Sequence, residues 1–188
     1  MRMPSILSAL FLVSPLGLIT PESFAGEHPD GTRFFEAAPR LGKAKTTFNA
    51  VRMRGATYYF TIILPSEARE PLGKIIITQK NGIDDIPLLL NETEAFIGTP
   101  NDQQEMISLA DVFQSEDNRE ITVNFLTPVA PGNTITVGLK PRKNPKFSGV
   151  YLFGVTVFPA GEKSQELYLG VRRLQFYDRD NDSDFRFP

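Results

Sequence analysis

Four cations lie close together on a proline-braced segment, Lys140-Pro141-Arg142-Lys143-Asn144-Pro145-Lys146. At that density Lys140, Arg142, Lys143 and Lys146 can meet an anionic polysaccharide, a lipid head group or an acidic protein. Loops held on a rigid scaffold commonly carry binding sites. The same cations on a solvated hairpin would also discourage sheet-to-sheet aggregation, so charge alone does not separate docking from solubility.

A second candidate is the string Gly26-Glu27-His28. If an export signal is removed after Ala25, a free amine, two amides and an imidazole become a square-planar nitrogen set suited to Cu(II) or Ni(II). A chance histidine in a frayed terminus gives the same string. Moving the cut by one residue destroys the set. The tail Asp178-Arg179-Asp180-Asn181-Asp182-Ser183-Asp184 places carboxylates at every second position, as calcium loops do. It lacks the glycine and the distal Glu of such loops, which fits a solvated acidic tail instead.

Catalytic constellations are scarce, and no catalytic residue is assigned. The single histidine, His28, leaves no Ser-His-Asp site and no histidine zinc cluster. Neither G-x-S-x-G nor a phosphate or dinucleotide loop occurs. The 22 acidic residues leave room for a two-carboxylate glycan hydrolase as an alternative. With no cysteine there is no disulfide and no thiol chemistry, and no cofactor is expected apart from the Cu(II) alternative.

The chain has 188 residues, 41% hydrophobic, enough for one domain with a real core. A net charge of −2 gives no global case for nucleic acid. Arg2, the apolar run Ile6–Ile19 and Ser23-Phe24-Ala25 read as a cleavable export signal over 1–25, placing the protein in the periplasm, cell envelope or a thylakoid lumen. No other run is long enough to span a membrane.

The elements that must position these groups are strands. Gly149–Gly161 (GVYLFGVTVFPAG) alternates with period two and is apolar on both faces, so cover is expected on both sides. Thr57–Leu64 reads the same way, and Pro65–Glu70 reads as one helical turn. Lys74–Gln79, Ile86–Leu90, Ala95–Gly98, Ile121–Leu126 and Thr134–Lys140 are further strand candidates, with Arg33–Glu36 a first edge. Pro100–Glu105 reads as a polar loop, and Ile107–Phe113 as strand or helical turn. In Leu167–Tyr177 the apolar residues change parity, which predicts a bulge near Arg172-Arg173. The 15 Phe and 5 Tyr fall mostly at inward positions, which favours core packing over a sugar platform. The pattern predicts an all-β, immunoglobulin-like β-sandwich of about seven to nine short antiparallel strands. Its expected layout is an irregular segment over 26–50, the sandwich over 51–177 and a loose charged tail over 178–188.

An ordered series of motifs gives this chain a family resemblance. They are Tyr58–Leu64 with Pro65, Glu70-Pro71-Leu72, Ala95-Phe96-Ile97-Gly98, Val129-Ala130-Pro131-Gly132, Leu139-Lys140-Pro141-Arg142, Asn144-Pro145, Gly149–Thr156 and Arg173-Leu174-Gln175-Phe176-Tyr177. In these the sequence resembles the DUF2808 family of exported proteins, found mostly in cyanobacteria, although Gln175 stands where that pattern has His. The resemblance implies a compartment but no chemistry. Together, residues and resemblance point to a non-catalytic exported binding or structural module, partnered by a protein or an anionic envelope component.

Overall fold

The structure, a computed structural model, describes residues 26–178. Ten strands form two antiparallel sheets of five strands each, an immunoglobulin-like β-sandwich. They are β1 (Arg40–Thr46), β2 (Tyr58–Ile63), β3 (Leu72–Asn81), β4 (Glu94–Thr99), β5 (Asp102–Met106), β6 (Leu109–Gln114), β7 (Glu120–Val129), β8 (Thr134–Leu139), β9 (Gly149–Pro159) and β10 (Leu167–Phe176). The first sheet has the order β1-β2-β8-β4-β5 and the second β10-β9-β3-β7-β6.

Period-two alternation puts one face of each sheet into a shared core. Tyr58, Phe60 and Ile62 of β2 and Ile135, Val137 and Leu139 of β8 are buried on one side. Ile75 and Ile77 of β3, Val123 of β7, and Tyr151, Phe153, Val155 and Val157 of β9 are buried on the other. The layers are joined by rings: Phe60 meets Phe153 edge-on with centroids 5.4 Å apart, and Tyr58 meets Phe176 at a tilt with centroids 5.5 Å apart. Each such side chain contributes about 1.5–3 kcal/mol by leaving water.

Several expectations need correction. The strand count is ten rather than seven to nine. β3 is central in its sheet with β9 beside it, and only one face of β9 is core, against the cover expected on both. The other face is open enough to leave Val150 exposed, and Lys74 lies over the Phe158 ring at 3.8 Å. β1 arises inside the segment expected to be irregular, because pairing with β2 satisfies its backbone despite a sequence with little alternation. Arg33–Glu36 is not a strand; Arg33 makes only isolated bridges to Glu27 and Ser164. The polar stretch Asp102–Met106 is a fully exposed strand held by β4. Of the stretch Ile107–Phe113, the part from Leu109 onward lies in β6 and pairs with β7.

Ile86–Leu90 is not a strand either. Its polar backbone is spoken for by a side chain: Gln114 Nε2 donates to Ile86 O at 2.8 Å, while Leu88 N donates to Gln114 Oε1 at 2.9 Å. The predicted bulge exists but sits earlier. Register with β9 shifts between Tyr168 and Gly170, and Gly170 takes a φ of +102° that glycine adopts without strain. Val171 is therefore exposed, whereas Leu174 and Phe176 are buried.

Candidate functional site

The proline-braced cations leave the end of β8 and return into β9, so their loop sits at one end of the sandwich. Asn144 anchors it. Its side chain is buried, accepts a hydrogen bond from Tyr58 Oη at 2.8 Å, and donates to Phe48 O at 2.9 Å and Ala50 O at 2.8 Å. Burial pushes the Tyr58 hydroxyl far above its ordinary pKa, so it stays a donor. The backbone adds further ties. Asn144 N donates to Met53 O at 2.7 Å, Arg52 N to Pro145 O at 2.9 Å, Arg142 N to Pro87 O at 2.9 Å and Leu89 N to Lys140 O at 2.8 Å. Asp84 accepts from the amides of Lys146 and Phe147. The loop is thus a fixed platform between two neighbouring segments, not a free hairpin.

The four cations are not placed alike. Lys140 is taken by Glu92, its Nζ 2.8 Å from Glu92 Oε2, and the hydrogen bond to that carboxylate holds the ammonium above its usual pKa. Arg142 and Lys143 are exposed and line a cavity of about 460 Å³ together with Arg54, Pro87 and Leu89. Lys146 is exposed but does not line that cavity. Among the described residues Arg54, Arg142 and Lys143 form no ion pair, and no carboxylate lines their cavity. Arg142 also borders an adjoining concave surface of about 720 Å³ that includes Pro87, Leu88, Leu89, Leu90, Asn91, Gln114 and Asn118. Sequence reasoning missed Arg54. Its signal was the short basic turn Arg52-Met53-Arg54-Gly55 ahead of β2, where Arg52 adopts a φ of +57°.

The other candidates lie elsewhere. Gly26 is buried and its carbonyl accepts from Phe34 N at 2.7 Å, while Glu27 bridges to Arg33. His28 N donates to Thr32 O at 2.8 Å, and its ring rests on Phe34 with centroids 4.5 Å apart. Ligation through the His28 amide would first have to break that bond. Among the described residues no group of three or more His, Asp or Glu is arranged to hold a metal ion. Asp178 accepts from Ser148 Oγ at 2.7 Å; the remaining tail carboxylates considered for calcium lie outside the described residues, as does the proposed export signal. For a two-carboxylate hydrolase, the acid to consider among the described residues is Glu70, whose pKa is shifted upward. Burial raises its pKa against the opposing pull of Arg33, but it lies beneath Gly26, and Glu36 is paired with Arg69 at 3.0 Å.

The model of the family described as "Protein of unknown function (DUF2808)" matches residues 32–176. The chain belongs to the DUF2808 family. No curated protein sequence matches it. In structure this DUF2808 chain is similar to BslA, a bacterial hydrophobin, with TM-score 0.44, 13% identity, and 76% of this chain and 96% of that one covered. It is also similar to the collagen-binding domain of a Staphylococcus aureus adhesin, with TM-score 0.36, 10% identity, and 65% and 87% covered. The collagen-binding subdomain of the Enterococcus faecalis surface protein ACE gives TM-score 0.38, 9% identity, and 77% and 97% covered. Among the described residues no helix is long and apolar enough to cross a membrane.

Proposed function

We propose that this DUF2808 protein is a non-catalytic binding module that works outside the cytoplasm and docks an acidic protein or anionic envelope component at the basic end of its sandwich. One observation carries the reading: Arg54, Arg142 and Lys143 converge on one concave surface with no carboxylate to neutralise them. Unpaired cations on a rigid rim attract an acidic partner over a Debye length and hold it by charge-assisted hydrogen bonds. Pro87 and Leu89 in the same surface supply apolar contact. A copper role for Gly26, Glu27 and His28 is not part of this reading, because the His28 amide is committed to Thr32.

The test is co-sedimentation of the purified protein with cell envelopes of the producing organism, at low and high salt. Wild type is expected to sediment at low salt and be released by salt. The exposed triple reversal Arg54→Glu, Arg142→Glu, Lys143→Glu is expected to stay folded by circular dichroism and to bind roughly tenfold more weakly or worse. Undiminished binding by the folded triple variant would reject this surface.

A further inference from the structure

The outer face of the first sheet carries a second concavity, unrelated to the basic end and sharing no residue with it. It has a volume of about 410 Å³ and lies between the β1 bulge, the outward side chains of β2 and β8, and the β4–β5 turn. That volume is within the usual range for small-molecule sites.

Three features make it more than a dent between strands. First, β1 pairs with β2 irregularly between Leu41 and Ala44, and this bulge puts both Lys43 and Lys45 on the cavity wall. Arg172, from β10 of the other sheet, donates to the Leu41 and Gly42 carbonyls and so holds the bulge in place. Second, the opposite wall is a turn of fixed shape. Gly98 has a φ of +104°, and a Cβ there would sit 2.1 Å from Asp102 O, so the β4–β5 reversal needs glycine. Third, wall and floor are tied together. Thr136 Oγ1 donates to Gly98 O at 2.7 Å, which uses its only proton. Thr61, 3.0 Å away and buried, must then donate to Thr136, and its oxygen keeps a lone pair for a ligand hydroxyl. Lys45 Nζ approaches Asn101 Oδ1 at 3.5 Å, which turns the amide of Asn101 into a donor for a ligand.

The lining specifies a ligand class. Lys43 and Lys45 call for an anion, and no carboxylate lines the cavity to satisfy them. Thr61, Thr99, Thr134 and Asn101 offer hydroxyl and amide partners suited to a polyol. Ile63 and Pro100 offer aliphatic surface for C–H groups, and no aromatic ring is present on which a base could stack. We propose that this cavity binds a carboxylate-bearing sugar ring, a uronic acid unit, with the carboxylate at Lys43 and Lys45 and the ring hydroxyls on the threonines and Asn101.

The experiment is an amide-shift NMR titration of the full chain with glucuronic acid, a galacturonate trimer, glucose and sodium sulfate. The expected result is saturable shifts at Thr61, Thr99 and Asn101 with the acidic sugars, and none with glucose. Lys43→Gln/Lys45→Gln is expected to weaken binding roughly tenfold, with Arg142→Gln/Lys143→Gln leaving it unchanged. A trimer tighter than the monomer identifies a polysaccharide unit, whereas equal affinities identify a free sugar acid; both support the site. Equal shifts from sulfate, equal binding of glucose, no shift from either acidic sugar, or sensitivity only to Arg142 and Lys143 would overturn it. Because the two pairs of variants act on separate surfaces, failure here leaves the envelope-docking reading standing, and the reverse.

Discussion

Asn144 shows how a single polar side chain sets the shape of the basic end. Itself buried, it answers one buried tyrosine hydroxyl and two part-buried loop carbonyls. Asn144→Ala is expected to cost about 1–3 kcal/mol in urea unfolding, since it leaves the buried Tyr58 hydroxyl without its acceptor and takes a donor from the part-buried Ala50 carbonyl, while Phe48 O keeps Thr46 Oγ1. Tyr58→Phe removes only one donor and is expected to cost about 1 kcal/mol. The double variant should fall short of the sum, because both changes act on one network. Glu70 gives a residue-scale prediction of another kind. Its folded pKa is raised above the ordinary 4.5, mainly by burial, with Arg33 at 3.6 Å pulling the other way. A folded carboxyl that holds its proton more tightly than the unfolded one favours folding at low pH. That contribution is lost as pH rises from about the ordinary value through the raised one. Unfolding of wild type against Glu70→Gln across pH 4 to 8 should show the variant gaining relative stability as pH rises. A pH-independent difference would remove burial of the charge as the cause.

At the scale of elements, β10 depends on where its bulge falls. With the shift between Tyr168 and Gly170, Val171 points outward while Leu174 packs in the core. Val171→Lys is therefore expected to change stability by no more than about 0.5 kcal/mol. Leu174→Lys should prevent stable folding, since it buries an unpaired ammonium. Similar outcomes for the two would put the bulge elsewhere, and thermal melts followed by circular dichroism decide between them. The parity change was readable in the sequence because the apolar residues themselves switch from odd to even positions. Its location was not, because Val171 is as apolar as a core residue and only the pairing with β9 shows that it faces out. The β1 and β5 strands were hidden for a related reason. An edge strand needs a partner's hydrogen bonds more than an apolar face, and Asp102–Met106 buries no side chain at all.

On the scale of the whole molecule, the sheets are sewn together by pairings between distant parts of the chain. Ile62 opposes Ile135 across β2 and β8, and Ile77 opposes Val155 across β3 and β9. Closing such long loops costs entropy before the contacts they bring together can offset it. Refolding from urea, followed by tyrosine fluorescence in stopped flow, is expected on the millisecond-to-second scale typical of β-sandwiches. Complete refolding within the dead time of about a millisecond would contradict that topology. The same long-range pairing explains the composition of the basic end: Arg54 precedes β2 and Arg142 follows β8, and those two strands are neighbours in the first sheet.

The sequence by itself determined the fold class, the principal core strands and the proline-braced cations. Period-two burial and turn-forming residues are local signals, and a local signal survives without a structure. Tertiary structure alone decided how the cations are placed, pairing Lys140 with Glu92 and bringing Arg54 to Arg142 and Lys143. It alone placed Lys43, Lys45, Thr61 and Asn101 around one cavity. These groupings join residues far apart in the chain, and their distances are set by strand order and register, which no single stretch of sequence encodes.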